Sequence, residues 1–488
     1  MLECQAEQKS SAQFFSKHSS AIILTATLCF VVVFSFSTLV TKPRLWIDEA
    51  VSINIAQSFL TSGILSIQTA PDTFFQFPQL IQSTGYPVTV ALAGFFKVFG
   101  YGIYQARIFM VLWIILALSL VFFLARKLFG KGQAYFSLLL IASFASFYGS
   151  GRTVVGEIPG FAFLLAGFYT LLERKQYFLT GIFWGLAVVS KPSVFGLIIP
   201  TIVLTFLFER EGLLNFFKKT ISLGLGMIPA GLLWILLVVS HPFTRETWTS
   251  IGAFYKNPYS SSITDNVARN LLGFFHSTTL IYFGLLSVLV LGARFLLKDA
   301  KLATLYTFTL IYSLLAFLYY LRSPGWLRYI LIAELLILFI LPHVVHAVAS
   351  WLKEKYTTLP ATPNLLANLF LGFLVLVQVA QMFTVAQIFF GDNDLRVASY
   401  LQKNFPDKTI GLLNATTVAI LLKPSQVFLT IYLTGLPVVG ENPLLLKNPP
   451  EVIVSSPGNR FINDGKKVLD NQYAPSETVG GYSVYIRK

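Results

Sequence analysis

The chain has 488 residues, 55% of them hydrophobic and only 12% charged, and its apolar residues gather into blocks of membrane-spanning length. That pattern excludes an ordinary soluble globular domain and predicts a polytopic membrane protein. The formal net charge of +14 does not require nucleic acid as a partner, because much of the Lys and Arg sits in short clusters between apolar blocks, where it orients spans.

A polar leader, residues 1–20, precedes the first apolar block, Ala21 to Val40. This block is too long for a signal-peptide core and lacks a small-x-small cleavage site, so it is expected to stay as a span. Further blocks lie near 106–125, 133–150, 158–173, 177–190, 193–209, 220–240, 277–297, 302–321, 328–350 and 364–390, which makes about eleven transmembrane helices. Basic clusters at Arg126/Lys127/Lys131, Arg174/Lys175, Arg210/Lys218/Lys219, Arg294/Lys298/Lys301 and Lys353/Lys355 occupy alternate connections. The positive-inside rule then puts those loops and the N-terminus in the cytoplasm, and an odd number of spans leaves the C-terminal segment outside. Of the two cysteines, Cys4 lies in the leader and Cys29 in the first span, so no stabilising disulfide is expected.

The first outer connection, residues 41–105, is too long for a turn. "DEAVSINIAQSFL" has apolar residues at helical spacing, and "GYPVTVALAGFFKVFG" is apolar but shorter than a span. Both are expected to be helices lying along the outer interface, with the turn-rich "TAPDTFFQFPQLIQSTG" as a mobile lid between them. After residue 391 the composition changes. "GDNDLRVASYLQKNF" reads as a soluble helix, and "TIGLL", "VFLTIYL", "EVIVSS" and "YSVYIR" read as strands separated by Pro and Gly. The predicted organisation is a cytoplasmic leader (1–20), a transmembrane catalytic domain (21–390) and a small extracytoplasmic α/β domain (391–488).

Three groups of polar residues stand out against this background. Asp48 and Glu49 follow the first span. There they either cap an interfacial helix and complement its dipole, or place a general base at the rim of a water-filled cavity, and the two roles are compatible. In "GSGRTVVGEIPGF", Arg152 and Glu157 fall in the next outer connection, with Pro159 just inside the following helix. Lys191, at the end of "GLAVVSK", and Arg322 and Arg328, bracketing "SPGW", lie at the outer ends of later spans. Singly each snorkels to head groups. With Lys42, Arg44 and Arg152 they make an outer face more basic than topology requires, as an anion or phosphate leaving group would need. Glu334, within a span, has no assigned role. His343 and His346 have ligand-like spacing but no acidic partner near in sequence, and read as structural. There is no P-loop, dinucleotide fingerprint or zinc-protease motif, so no soluble nucleotide substrate is supported.

The "DE" after the first span, the R-x-x-x-x-E-x-P of Arg152 to Pro159, the "GLAVVSK" ending in Lys191 and the "WLRY" of Trp326 to Tyr329 together resemble the GT-C glycosyltransferases. The resemblance is to the branch of the dolichyl-phosphate-mannose protein mannosyltransferases and the lipid A aminoarabinose transferase, and it covers roughly residues 21 to 390. It implies transfer of a sugar, with inversion, from a polyprenyl-phosphate donor to an acceptor hydroxyl of protein, lipid or polysaccharide at the outer membrane face. By the same resemblance Asp48 is the base and Glu49 its acidic neighbour. Glu157 answers to a second-loop residue that is often aspartate in relatives, and Lys191 and Arg328 lie near the carrier phosphate. Some relatives carry a metal; here no ligand set is evident, and no cofactor is expected. The competing reading is a carrier or flippase of lipid-linked glycans, which should show polar groups near the bilayer midplane. A non-catalytic scaffold ranks third.

Overall fold

The computed structural model describes residues 22–209, 212–258, 261–296, 299–356, 362–388, 390–432, 438–457 and 463–488. The expected leader, with Cys4, lies outside the described residues, as do Arg210 and Lys298. Helix α1 (Ile22–Phe36) opens the described chain. Helix α2 (Ile47–Ser62) follows, then a two-stranded ribbon of β1 (Gln68–Ala70) and β2 (Thr73–Phe74), the single turn α3 (Pro78–Ile81) and α4 (Tyr86–Phe99). The bundle continues with α5 (Ile103–Phe129), α6 (Lys131–Ala142), α7 (Ala145–Gly151), α8 (Glu157–Leu172), α9 (Tyr177–Ser190), α10 (Pro192–Phe195), α11 (Ile198–Glu209) and α12 (Leu213–Val238). Two amphipathic helices, α13 (Arg245–Lys256) and α14 (Ile263–Gly273), precede α15 (Thr278–Arg294), α16 (Ala300–Arg322), α17 (Leu331–Lys355) and α18 (Pro363–Ile388).

An apolar helix stands at each of the blocks expected to span, but the spans differ in kind. Six helices are long and apolar enough to cross a membrane, and two bent pairs, α6 with α7 at 63° and α14 with α15 at 85°, raise the number to eight among the described residues. The other blocks are the shorter helices α1, α8 and α9. Sixteen residues, as in α8, rise about 24 Å, short of a hydrocarbon core about 30 Å thick. Helices α8 and α9 are apolar because they pack inside the bundle, where Phe161, Leu164, Leu165, Phe168 and Trp184 are fully buried, whereas α1 keeps Ile22 and Val33 exposed.

The C-terminal domain is α19 (Asn393–Asn404), β3 (Ile410–Leu413), α20 (Thr416–Ala419), β4 (Val427–Thr430), β5 (Val452–Ser455), α21 (Asn463–Gln472), β6 (Tyr473–Val479) and β7 (Tyr482–Arg487). Its sheet runs in the order β4-β3-β5-β7-β6, parallel across β4, β3 and β5 and antiparallel from β5 through β7 to β6. The strands read from sequence are all present. β6 escapes the sequence reading because its polar "SET" breaks the apolar alternation, leaving an edge strand exposed along most of its length.

The first helix of the first connection is covered by protein on two sides. Glu49 to Ala56 of α2 are buried without a break, because α2 sits between α4 on one side and α20 of the C-terminal domain on the other. Val51 and Ile55 share a core with Val397, Val418 and Leu429 of that domain. The segment expected as a lid is folded: β1 packs on β4, and Ser66 Oγ donates to the Phe75 carbonyl at 2.6 Å.

Close backbone approach fixes where α9 ends. The Gly85 N–H donates to the Ser190 carbonyl at 3.0 Å. A Cβ on Gly85 would lie 1.7 Å from the Val189 oxygen, and one on Gly156 would lie 1.9 Å from the Ser190 oxygen. Three stretches of backbone therefore meet just before Lys191 with no room for a side chain. Gly85→Ala and Gly156→Ala are each expected to cost about 1–3 kcal/mol or more by overpacking. The cost should appear as a lower unfolding midpoint in detergent. Gly94→Ala is the control, since its Cβ meets nothing within 4 Å and helix propensity favours the change.

Candidate active site

Four charged side chains far apart in sequence converge where the bundle meets the first connection. Asp48 lies in the first turn of α2, after a Trp46 whose extended backbone starts the helix. Its Oδ2 accepts a hydrogen bond from Arg328 Nη1 at 2.5 Å. Arg328 comes from a single 3-10 turn, Leu327–Tyr329, between α16 and α17. Lys191 stands at the break between α9 and α10, with φ −152° and ψ 83°. Pro192 dictates that break, because the residue before proline avoids helical backbone. Glu157 opens α8, and its Oε1 lies 3.8 Å from Lys191 Nζ, with both side chains 1% exposed. The two pairs adjoin, since the Lys191 charge acts on Asp48 and the Glu157 charge on Arg328.

The electrostatics of this cluster are specific. Burial pushes the Asp48 carboxyl up, but the Arg328 and Lys191 cations and the Arg328 hydrogen bond outweigh it, so its pKa falls below the usual 3.8. The Arg328 guanidinium lies against three rings, 4.7 Å from the Trp326 centroid, 4.8 Å from Trp46 and 5.6 Å from Tyr329, which hold its plane. Both Glu157 oxygens, Lys191 Nζ and Arg328 Nε are shielded from solvent and make no hydrogen bond. Buried polar atoms left this way each cost about 1–3 kcal/mol, more for charged groups, and mark a place that a polar ligand would complete.

The remaining expected site residues are held elsewhere. Glu49 is fully buried and gives both oxygens to Arg107 of α5, with Nε to Oε1 at 2.8 Å and Nη2 to Oε2 at 2.7 Å. Arg107 Nη1 also donates to the carbonyls of Leu39 (2.8 Å) and Pro43 (2.9 Å). Arg152 lies over the Phe34 ring at 5.4 Å and donates to Thr38 Oγ1 at 3.1 Å; burial and the nearby Arg107 push it down to about 10. Arg322 donates to the carbonyls of Tyr255 (2.9 Å) and Lys256 (2.6 Å). Lys42 lies 5.9 Å from the Phe390 ring and the exposed Arg44 stem abuts Gly391, at the joint with the C-terminal domain. His343 contacts Gln133 at 3.0 Å and His346 the Pro342 carbonyl at 2.7 Å. No group of three or more His, Cys, Asp or Glu among the described residues is arranged to hold a metal.

Arg107 is the functional-site neighbour that the sequence reading misses. Its signal is a lone cation near the start of a 27-residue apolar helix, where a charge needs a buried partner.

Known proteins resemble this chain in part of its sequence and in its fold. Residues 87–240 match the family model for dolichyl-phosphate-mannose-protein mannosyltransferase. The matched segment contains Glu157 and Lys191, while Asp48 and Arg328 lie outside it. No curated protein matches the chain. Among solved structures, ArnT from Cupriavidus metallidurans in the apo state is similar over 96% of this chain and 98% of its own, with TM-score 0.61 and 14% identity. The same protein bound to undecaprenyl phosphate is similar over 95% and 97%, with TM-score 0.60 and 14% identity. The apo oligosaccharyltransferase of Archaeoglobus fulgidus is similar over 85% of this chain and 64% of its own, with TM-score 0.54 and 14% identity. The chain thus has the multi-pass membrane fold of the GT-C glycosyltransferases.

Two outcomes follow from the two acidic neighbours. Glu49→Gln leaves Arg107 buried without its counter-ion and is expected to cost about 3–5 kcal/mol, read as a large fall in unfolding midpoint. The Asp48 pKa is lower folded than unfolded, so its stabilisation is present at neutral pH and lost as pH falls through the folded value. The difference in melting temperature between wild type and Asp48→Asn should therefore stay constant from about pH 8 to 5 and close only below about pH 4.

Proposed function

We propose that this protein transfers a sugar from a polyprenyl-phosphate donor to an acceptor hydroxyl, with inversion, at the outer face of the membrane. Asp48 acts as general base. The observation that carries this reading is the cluster of Asp48, Glu157, Lys191 and Arg328, in which buried charged atoms stand without hydrogen-bond partners. The match to a mannosyltransferase family model and the fold shared with an ArnT that binds undecaprenyl phosphate support it.

The chemistry follows from the charges. The cluster holds two carboxylates and two cations, so it is balanced before a ligand arrives. A donor phosphodiester brings one negative charge and takes the Arg328 Nε and the Lys191 ammonium, neither of which makes a hydrogen bond at rest. Both cations are then drawn away from Asp48, whose burial now dominates and raises its basicity. A base held weak by Arg328 at rest becomes stronger when the donor is seated. The acceptor hydroxyl gives its proton to Asp48, and its oxygen attacks the anomeric carbon from the face opposite the phosphate. The bond from the anomeric carbon to the phosphate oxygen breaks, and the electron pair leaves on the polyprenyl phosphate, where Lys191 and Arg328 stabilise it. Glu157 holds Lys191 and orients the acceptor. On this reading the N-terminus is cytoplasmic, the C-terminal domain is extracytoplasmic and the reaction assigns no cofactor. The acceptor is a protein, a lipid or a cell-envelope polysaccharide.

Membranes containing wild type, Asp48→Asn or Lys191→Gln, supplied with radiolabelled polyprenyl-phosphate sugars, test the proposal. Wild type should move label from lipid to acceptor. Asp48→Asn should bind the lipid and lose turnover by about 100-fold or more, while Lys191→Gln should weaken donor binding by about tenfold or more. Equal turnover by wild type and Asp48→Asn would move the base to Glu157. Movement of intact donor across the membrane without sugar release would favour a carrier.

A further inference from the structure

The loop that delivers Arg328 is held from outside the apolar bundle. Helix α16 ends at Arg322; the Tyr320 carbonyl accepts from the Ser323 N–H (2.9 Å) and Oγ (2.8 Å), and the carbonyls after it lie past the last helical N–H. Pro324 has no N–H to offer them. Four consecutive carbonyls lie within hydrogen-bond reach of the side-chain amides of two asparagines one turn apart on α14. Asn270 Nδ2 donates to Tyr320 (3.2 Å), Leu321 (3.0 Å) and Ser323 (2.8 Å). Asn266 Nδ2 donates to Arg322 (3.1 Å), and its Oδ1 accepts from Arg269 Nη2 at 2.8 Å, which fixes the amide's orientation. In return Arg322 donates to two carbonyls at the end of α13. Both asparagines are buried, 5% and 3% exposed, on a helix whose other face carries the exposed Leu271 and Leu272.

A helix cap alone would account for the bonds to Tyr320 and Leu321. The bonds to Arg322 and Ser323 go further, since they grip the chain at and beyond the helix end, where it turns toward Trp326 and Arg328. We infer that Asn270 is a positioning residue for the carrier-phosphate site, acting through the 322–326 loop on Arg328. The inference rests on the proposed function only for what Arg328 binds. The α13–α14 pair thereby sets the height and angle of the guanidinium that faces Asp48.

A double-mutant cycle tests this on the full-length protein in detergent, with undecaprenyl phosphate as the binding probe. Asn270→Ser should weaken binding about fivefold or more. Combined with Arg328→Lys it should add little to the loss caused by Arg328→Lys alone, because both act on one contact. Additive losses, or unchanged binding in Asn270→Ser, would overturn the inference. Hydrogen exchange gives a second readout that does not need the carrier: Asn270→Ser should speed exchange across 323–330 while leaving α5, α8 and α9 as in wild type. If wild type binds no undecaprenyl phosphate, the proposed polyprenyl-phosphate site fails by itself. Exchange then decides the positioning role, and an unchanged 323–330 would reject it. Should Asn270→Ser not fold, Asn270→Gln, which keeps the donor but displaces it, serves in the same cycle.

Discussion

The buried ion pair between Glu49 and Arg107 is the constraint on which the site depends. One guanidinium takes both oxygens of Glu49 and the carbonyls of Leu39 and Pro43, so it ties together the end of the first apolar segment, the first turn of α2 and the start of α5. A buried pair repays its desolvation only when the remaining donors and acceptors are also satisfied. Here the two extra carbonyls meet that condition. Asp48 is the adjacent residue in the same helical turn, and its position follows from the pair.

The other charges are set by backbone rather than by ion pairs. Lys191 projects from a break enforced by Pro192, at a point where Gly85 and Gly156 let three backbones touch. Arg328 rides on a short turn, with its plane fixed by Trp46, Trp326 and Tyr329. Glu157 starts a helix too short to span the bilayer, which leaves its carboxylate inside the protein instead of at a head group. Thus the cluster combines rigid supports with buried charged atoms that make no hydrogen bond, the combination that pre-organised binding requires.

Much of this architecture is legible in the chain because it rests on local patterns. Apolar block length marks the long helices of the bundle but not the amphipathic α13 and α14, and alternation marks β3, β4, β5 and β7. The proline after Lys191 marks a break, and Asp48, Glu157, Lys191 and Arg328 can each be singled out as polar residues at block ends. Lys42, Arg44, Arg152 and Arg322 share that placement and make other contacts in the fold. Block length also treats α8 and α9 as equal to the long spans, since hydropathy does not distinguish an apolar helix buried in protein from one facing lipid.

What the sequence determines by itself is therefore the membrane class, the succession of apolar helices, the small mixed domain at the end of the chain and a short roster of charged candidates. Each depends on neighbours a few residues apart. Tertiary structure alone decides that Glu49 belongs to Arg107, that Asp48 meets Arg328 across 280 positions, and that two asparagines on α14 hold the loop between them. Those pairings depend on which helix ends are brought side by side when the bundle packs, and no spacing within a single segment encodes that.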